Sequence, residues 1–301
     1  MQDNTIKAIK GFNTDMTCRG FQYEEGQTYK HDGPPARCTE SGFHAIDGNP
    51  LSVFSFYPPT KSVYHEAVCG GDIDRDGIGS KITASEITIH ARLELRELIA
   101  RAVDWISAKA KREGDKQLAT GYGSSAASNG ERSSAVSNGE RSSAASTGYR
   151  SNAASNGYVS NAASNGRWTS AASNGNWSSA ASTGDWSSAA SNGNGSNAVS
   201  TGERSNAASN GRWTSAASTG DWSSAVSTGD WSSAASNGKH SVAMSAGLDG
   251  MAKGAKGCAL FLVERNDDGE IIAAWAGIVG KKRIKPDTFY TLKNGKPVEV
   301  E

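Results

Sequence analysis

Between Gly121 and Gly247 the chain repeats one nine-residue pattern of small apolar and polar positions, with a glycine at every ninth residue and no insertion. The unit reads Ser, then Ser or Asn, Ala, Ala or Val, Ser, Asn or Thr, Gly and two variable positions, as in Ser133-Ser134-Ala135-Val136-Ser137-Asn138-Gly139-Glu140-Arg141. Its first five positions alternate, with Ser133, Ala135 and Ser137 nearly constant on one side and Ser134 and Val136 looser on the other. That is the period of a strand, and it predicts that the constant small residues face inward. The Asn-Gly or Thr-Gly that follows predicts a tight turn, because Gly and Asn accept positive φ at little cost. Each unit is then one strand and one turn, too small to bury a core alone, so the units must stack.

Nine residues span about 30 Å when extended, too short to close a coil with two faces and an interior. The predicted coil is therefore two units, or eighteen residues. Trp168, Trp186 and Trp222 differ by multiples of eighteen, as do Trp177, Trp213 and Trp231, so such a coil puts three on each edge. At a strand spacing of about 4.8 Å, roughly seven coils make a rod about 30 Å long. Its buried serines must bond one another or the backbone.

An open solenoid ends in unpaired strand edges, which calls for a cover at each terminus. Residues 1–92 read as a β-rich or α+β domain with strands at 5–12, 62–68 and 81–93. Residues 93–116 read as an amphipathic capping helix, since Leu95, Leu98, Ile99, Ala102, Val103 and Ile106 fall at helical spacing. The solenoid occupies 117–257. A β cap occupies 258–301, with strands at 258–264 and 270–279 around Asn266-Asp267-Asp268-Gly269 and a last hairpin turning at Asn294-Gly295. The expected fold is mainly β: a parallel β-solenoid, built as a two-sided roll, between an α+β N-terminal cap and a β-hairpin C-terminal cap.

Composition alone would argue for disorder in so Ser- and Gly-rich a chain, and only the strict period reverses that. The formal charge is zero, so no nucleic-acid-coating surface is expected. No basic segment with an apolar run opens the sequence and no run of about 18 apolar residues occurs, so no membrane partner is expected and the location expected is the cytoplasm. Cys18, Cys38, Cys69 and Cys258 form no CxxC pair, which fits reduced thiols.

Several groups have the residue types of a site. Asp72-Ile73-Asp74-Arg75-Asp76-Gly77 resembles the start of an EF-hand loop, but Thr83 stands where the twelfth-position Glu belongs, which favours a solvated turn. Cys18, Cys38, His44, His65 and Cys69 include zinc-ligand and nucleophile types at undiagnostic spacings, and buried thiols are the commoner reading. Tyr23, Glu24, Tyr29 and His44 are candidates for a pocket, with the aromatic face of a small sheet as the plainer account. The solenoid has large side chains only after its glycines, at Arg132, Arg141, Arg150, Trp168, Trp177, Trp186, Trp213, Trp222 and Trp231 among others. Trp and Arg are enriched in binding hot spots, against which stands stacking of coil on coil. Ser, Asn and Thr ladders would also suit an ice-ordering face, although Thr is the minority choice.

Lys10-Gly11-Phe12, Cys18-Arg19-Gly20-Phe21-Gln22-Tyr23-Glu24, Gly26-Gln27-Thr28-Tyr29, Ser41-Gly42-Phe43-His44-Ala45 and Pro50-Leu51 resemble the N-terminal domain of an uncharacterised family of bacteriophage and prophage proteins. In that family a Gly-rich repeat and a segment like Ile284 to Lys296 often follow. The resemblance implies a phage or prophage origin and action inside a bacterial cell, and carries over no catalytic residue. The repeat also resembles, more loosely, the rolls of trimeric adhesin heads and the calcium-binding repeats of secreted toxins, but it lacks the acidic residue in every turn that calcium needs. The expected function is non-enzymatic binding of a host protein or protein complex in the host cytoplasm, with inhibition of an antiviral defence system as its concrete form. A virion or fibre component, and an enzyme or small-molecule binder using the N-terminal domain, are the alternatives. No cofactor is expected, and the apolar C-terminal strands suit pairing into a homo-oligomer.

Overall fold

The computed structural model describes residues 5–36, 41–75, 80–112 and 117–300. The chain divides into two compact units, residues 1–105 and 106–301.

The first unit is built on an antiparallel sheet in the order Thr28–Lys30, Lys81–Leu93, Phe43–Ile46, Ile6–Asn13, Ser62–Arg75. Ser62–Arg75 also pairs with Lys81–Leu93, which closes four of these strands into a ring. Alternation fills the ring from one side of each strand: Ala8 and Phe12, Ala67 and Cys69, Ile87 and Ile89 are buried. Asp72 to Arg75, expected in a turn, are strand residues at and after a register shift between Gly70 and Ile73, and the rest of that EF-hand-like stretch lies outside the described residues. The helix Leu95–Arg112 buries Leu98, Ile99, Ala102, Val103 and Ile106 of the predicted stripe, while Leu95 in its first turn is half-buried.

The second unit is the solenoid. Its strands pair in parallel and in register at eighteen residues, Ala153 opposite Ala171, then Ala189, Ala207, Ala225 and Ala243. Two sheets of ten strands result. In each sheet eight strands come from the coils, so the roll has about eight turns; Leu118–Thr120 and Met251–Gly254 extend it past the predicted seven. The inner alanines are buried on both sides of a thin interior. In the sheet that contains Ser134–Asn138 one face is buried and the other open, whereas strands from Ser125–Asn129 to Ser233–Ser236 are buried on both faces.

The turn departs from prediction. Positive φ falls on glycine, as at Gly175 (141°), and on the second residue after it, as at Trp177 (59°), while the preceding asparagines keep ordinary backbone angles. Glycine answers a second demand. A Cβ on Gly175 would overlap the carbonyl of Gly157, and the same collision recurs at every repeat glycine from Gly139 to Gly247. No other residue lets the coils approach to ladder distance there.

The inner serine before each strand satisfies the polar backbone of the turns. Ser178 donates to the Gly157 carbonyl at 3.0 Å and receives, from the next coil, the Ser196 hydroxyl as acceptor for its own N–H at 3.1 Å. Serines inside the strands follow the prediction only in part. Ser182 pairs with Ser200 (3.2 Å) and Ser218 with Ser236 (3.2 Å), but the hydroxyls of Ser137, Ser146, Ser155 and Ser191 have no partner among the described residues.

Two hairpins continue the two sheets beyond the last coil. Ala259–Arg265 pairs in parallel with Val242–Ser245 and antiparallel with Ile271–Ile278, and Phe289–Lys293 joins Met251–Gly254 and Lys296–Val300. Their turns fall where predicted, Asn294 and Gly295 both at positive φ, with the Glu264 carboxylate accepting from both of their N–H groups. Leu260, Leu262, Tyr290 and Leu292 replace the alanine stack and plug the interior.

Gly175→Ala is expected to destabilise the fold by more than Gly130→Ala, measured by denaturant midpoint. Both pay about 1 to 3 kcal/mol for the left-handed backbone, but a Cβ on Gly130 meets nothing within 4 Å, so the excess reads the coil-to-coil contact alone. Ala180→Leu is expected to cost a further about 1 to 3 kcal/mol by overpacking.

Candidate functional sites on the solenoid edges and in the N-terminal barrel

The eighteen-residue coil sorts the variable positions into two edges as predicted. One carries Arg132, Arg150, Trp168, Trp186, Arg204, Trp222 and His240, and the other Arg141, Val159, Trp177, Gly195, Trp213 and Trp231. Trp168 stacks on Trp186 at 5.0 Å and 3°, the Arg204 guanidinium lies 4.8 Å from the Trp186 ring, and Trp222 stacks on His240 at 4.6 Å. On the other edge Trp213 stacks on Trp231 at 5.7 Å, and Trp177 lies against Gly195, where a Cβ would press on the indole at 2.8 Å. Arg141 and Arg150 lie over Tyr122 and Tyr149. The stacking account is therefore realised.

It does not exhaust these residues. All six edge tryptophans remain between 39% and 59% exposed. They also sit in the left-handed backbone region, which costs a non-glycine residue about 1 to 2 kcal/mol. Glycine takes that place only at Gly123 and Gly195. A stacked aromatic pair returns about 0.5 to 1.5 kcal/mol, which at best offsets the backbone cost, so stability alone does not favour Trp, Arg or Val here over glycine.

The first variable position has a role not visible in the sequence. Asp185, Asn176, Asp221 and Asp230 each accept, through the side chain, the N–H of the residue eighteen positions on, at 2.7 to 3.0 Å. An Asp or Asn at every such turn would have been the signal, but Glu, Tyr, Arg and Lys share the position and blur it.

The exposed face of the open sheet presents Asn138, Asn156, Asn174, Asn192 and Asn210, with Asn156 donating to Asn138 at 3.0 Å. Thr147, Thr183, Thr201 and Thr219 fall on the other sheet and only Thr120 and Thr228 flank the asparagine column, so the open face lacks the threonine ladder that an ice-ordering surface would use.

In the N-terminal barrel the predicted pocket residues separate. Tyr23 and Tyr29 pack edge-on at 5.1 Å within an aromatic cluster that includes Phe12, Phe21 and Phe43, and the Tyr29 hydroxyl accepts the Glu24 N–H at 2.8 Å. Only His44 of the four lines a cleft, of about 240 Å³, between Ile6–Asn13, Phe43–Ile46 and the segment holding Phe56 and Tyr57. These two strands meet with Ile9 opposite Ile46, and Lys10 reaches across the seam to donate to the His44 carbonyl at 2.9 Å. Cys18 lies 2.9 Å from the Tyr57 hydroxyl and 3.8 Å from Lys10 Nζ. The turn after Cys18, with Arg19 and Gly20 both at positive φ, brings Arg19 to the cleft.

His65 is held elsewhere, its Nδ1 2.9 Å from the His90 carbonyl, and Cys69 is fully buried with its thiol pushed up to about 12 by desolvation. The predicted Cys and His set does not converge. Cys38 lies outside the described residues, and no group of three or more His, Cys, Asp or Glu among the described residues is placed to hold a metal ion. Sequence reasoning missed Lys10, Arg19, Tyr57 and Lys81, because a lysine inside a strand and scattered cations carry no spacing signal.

Burial lowers Lys10, whose ammonium lies 5.4 and 5.1 Å from the Phe12 and Tyr23 ring centres. It also pulls His44 down to about 4, assisted by Lys81, Arg19 and Lys10.

The fold defines a parallel β-solenoid of the two-sided, eighteen-residue class, joined to a small antiparallel β-barrel domain with one helix. Residues 6–101 match the model of a domain of unknown function, DUF7666, a span that contains every residue lining the cleft. No curated protein and no solved structure matches the chain.

Because unfolded His44 takes up a proton near 6.5 and folded His44 only near 4, the unfolded state binds more protons between those values and stability falls as pH drops through that window. The thermal midpoint is expected to fall from pH 7 to pH 4 by less in His44→Asn than in the parent chain; parallel curves would contradict the assignment.

Proposed function

We propose that this chain is a non-enzymatic binding protein of bacteriophage or prophage origin that uses the edges of its solenoid to engage a host protein or protein complex inside a bacterial cell. The observation that carries the reading is the run of exposed Trp and Arg residues held in left-handed backbone, where glycine costs least. Strain of this kind persists where a side chain is wanted for contact. Indole and guanidinium groups already ordered by their neighbours lose little freedom on binding, which favours hot-spot use. The phage origin, and inhibition of a defence system as the concrete role, rest on the resemblance of the two flanks.

A second reading is end-to-end association of the chain, as in a homo-oligomer or fibre. Ile271–Ile278 and Lys296–Val300 are the outermost strands of their sheets, and Ile271, Ile272, Ile278 and Val298 are exposed on them. Such an edge invites pairing with another strand.

The test is affinity capture of the tagged chain from bacterial lysate beside a variant with Trp177, Trp213 and Trp231 changed to Ser, followed by hydrogen exchange on the reconstituted complex. One stoichiometric host protein, lost at least tenfold in the variant and protecting the edge turns, is the expected result. Absence of such a protein, together with a solution mass above that of a single chain that falls when Ile271 and Ile278 are changed to Lys, would favour the oligomer instead.

A further inference from the structure

The cleft in the N-terminal barrel brings together Lys10, Arg19 and Lys81, and among the described residues no acidic side chain lines it. Lys10 is nearly inaccessible to solvent, and its nearest partners among the described residues are a carbonyl, a thiol and two ring faces, with no carboxylate among them. A buried cation without an anionic partner is costly, and a bound anion removes much of that cost. His44 Nε2 is buried with no hydrogen-bond partner among the described residues, the kind of orphaned polar atom that native folds rarely keep without a use.

The walls are shaped as well as charged. Any Cβ on Gly11 would overlap the Tyr57 ring, so the strand is built to seat that tyrosine, and the Tyr57 hydroxyl is held by Cys18. Beside it Phe56 is half exposed, with the Lys81 ammonium 4.9 Å from its ring centre. A flat apolar surface thus adjoins the cations. At about 240 Å³ the cleft is smaller than the roughly 300 Å³ at which pockets for drug-sized ligands begin.

We propose that this cleft binds a small organic anion, a phosphate or carboxylate carried on at most one ring, with Arg19 and Lys81 at its mouth, Lys10 beneath it and Phe56 against the ring. The site is separate from the solenoid edges and does not depend on their role. A phosphate would draw on both mouth cations as a doubly charged head, and a carboxylate would suit the arginine fork.

The experiment is calorimetric titration of the full chain at pH 7 and low salt with phenyl phosphate, benzoate and, as the neutral control, phenol. Saturable binding of phenyl phosphate or benzoate with a Kd on the order of 1 mM or tighter, and none of phenol, is expected; the tighter of the two identifies the head group. Arg19→Ala with Lys81→Ala, checked for folding by circular dichroism, is expected to weaken that binding at least tenfold, and Lys81→Gln alone several-fold. Changing Arg132, Arg141 and Arg150 to Ser is expected to leave it unchanged. No saturable binding of either anion, equal binding of phenol, or an affinity that survives loss of both mouth cations would overturn the proposal.

Discussion

Each coil rests on the one before it through a contact that glycine alone permits. From Gly139 onward the α-carbon of every repeat glycine faces the carbonyl of the glycine eighteen residues earlier, at a separation no Cβ fits. That approach sets the rest of the roll. It brings the inner serine within 3.0 Å of the same row of carbonyls, as Ser205 is to Gly184, and brings the edge amides within reach of the next turn, as Trp168 N–H is to the Asp185 carbonyl. With little apolar surface to bury, the interior depends on this polar ladder for its cohesion, and alanine methyls fill what remains.

A ladder repeated at one spacing also dictates what the edges can be. Side chains eighteen residues apart must lie over one another, so aromatic and guanidinium groups stack whether or not stacking is their purpose. The cost of the left-handed turn separates the two accounts. Gly123 and Gly195 show that the turn closes without a large side chain, and Gly195 yields its place to the indole of Trp177. The remaining edge positions keep Trp, Arg, Val and His against the backbone preference.

The barrel follows a different logic. Its strands carry ordinary apolar alternation, but the seam between Ile6–Asn13 and Phe43–Ile46 is bridged by a lysine side chain. A cleft lined by basic and aromatic residues lies beside it.

The solenoid was legible from the sequence because its information is one-dimensional. An unbroken nine-residue period, alternation of Ser and Ala, and tryptophans spaced by eighteen determine the coil, the parallel register and the two edges, since each unit meets only its neighbours. The helix stripe from Leu98 to Ile106 and the turns at Asn266 and Asn294 were legible for the same local reason. What only the tertiary structure decided depends on approach between residues far apart or on backbone angles without a residue signature. It moved the positive φ from asparagine to the Trp and Arg positions and left several strand serines, Ser137 and its neighbour Ser155 among them, without hydroxyl partners among the described residues. It also assembled Lys10, Arg19, His44, Tyr57 and Lys81 around one cleft. Ring closure, which no periodicity encodes, brings those five together from separate strands and turns.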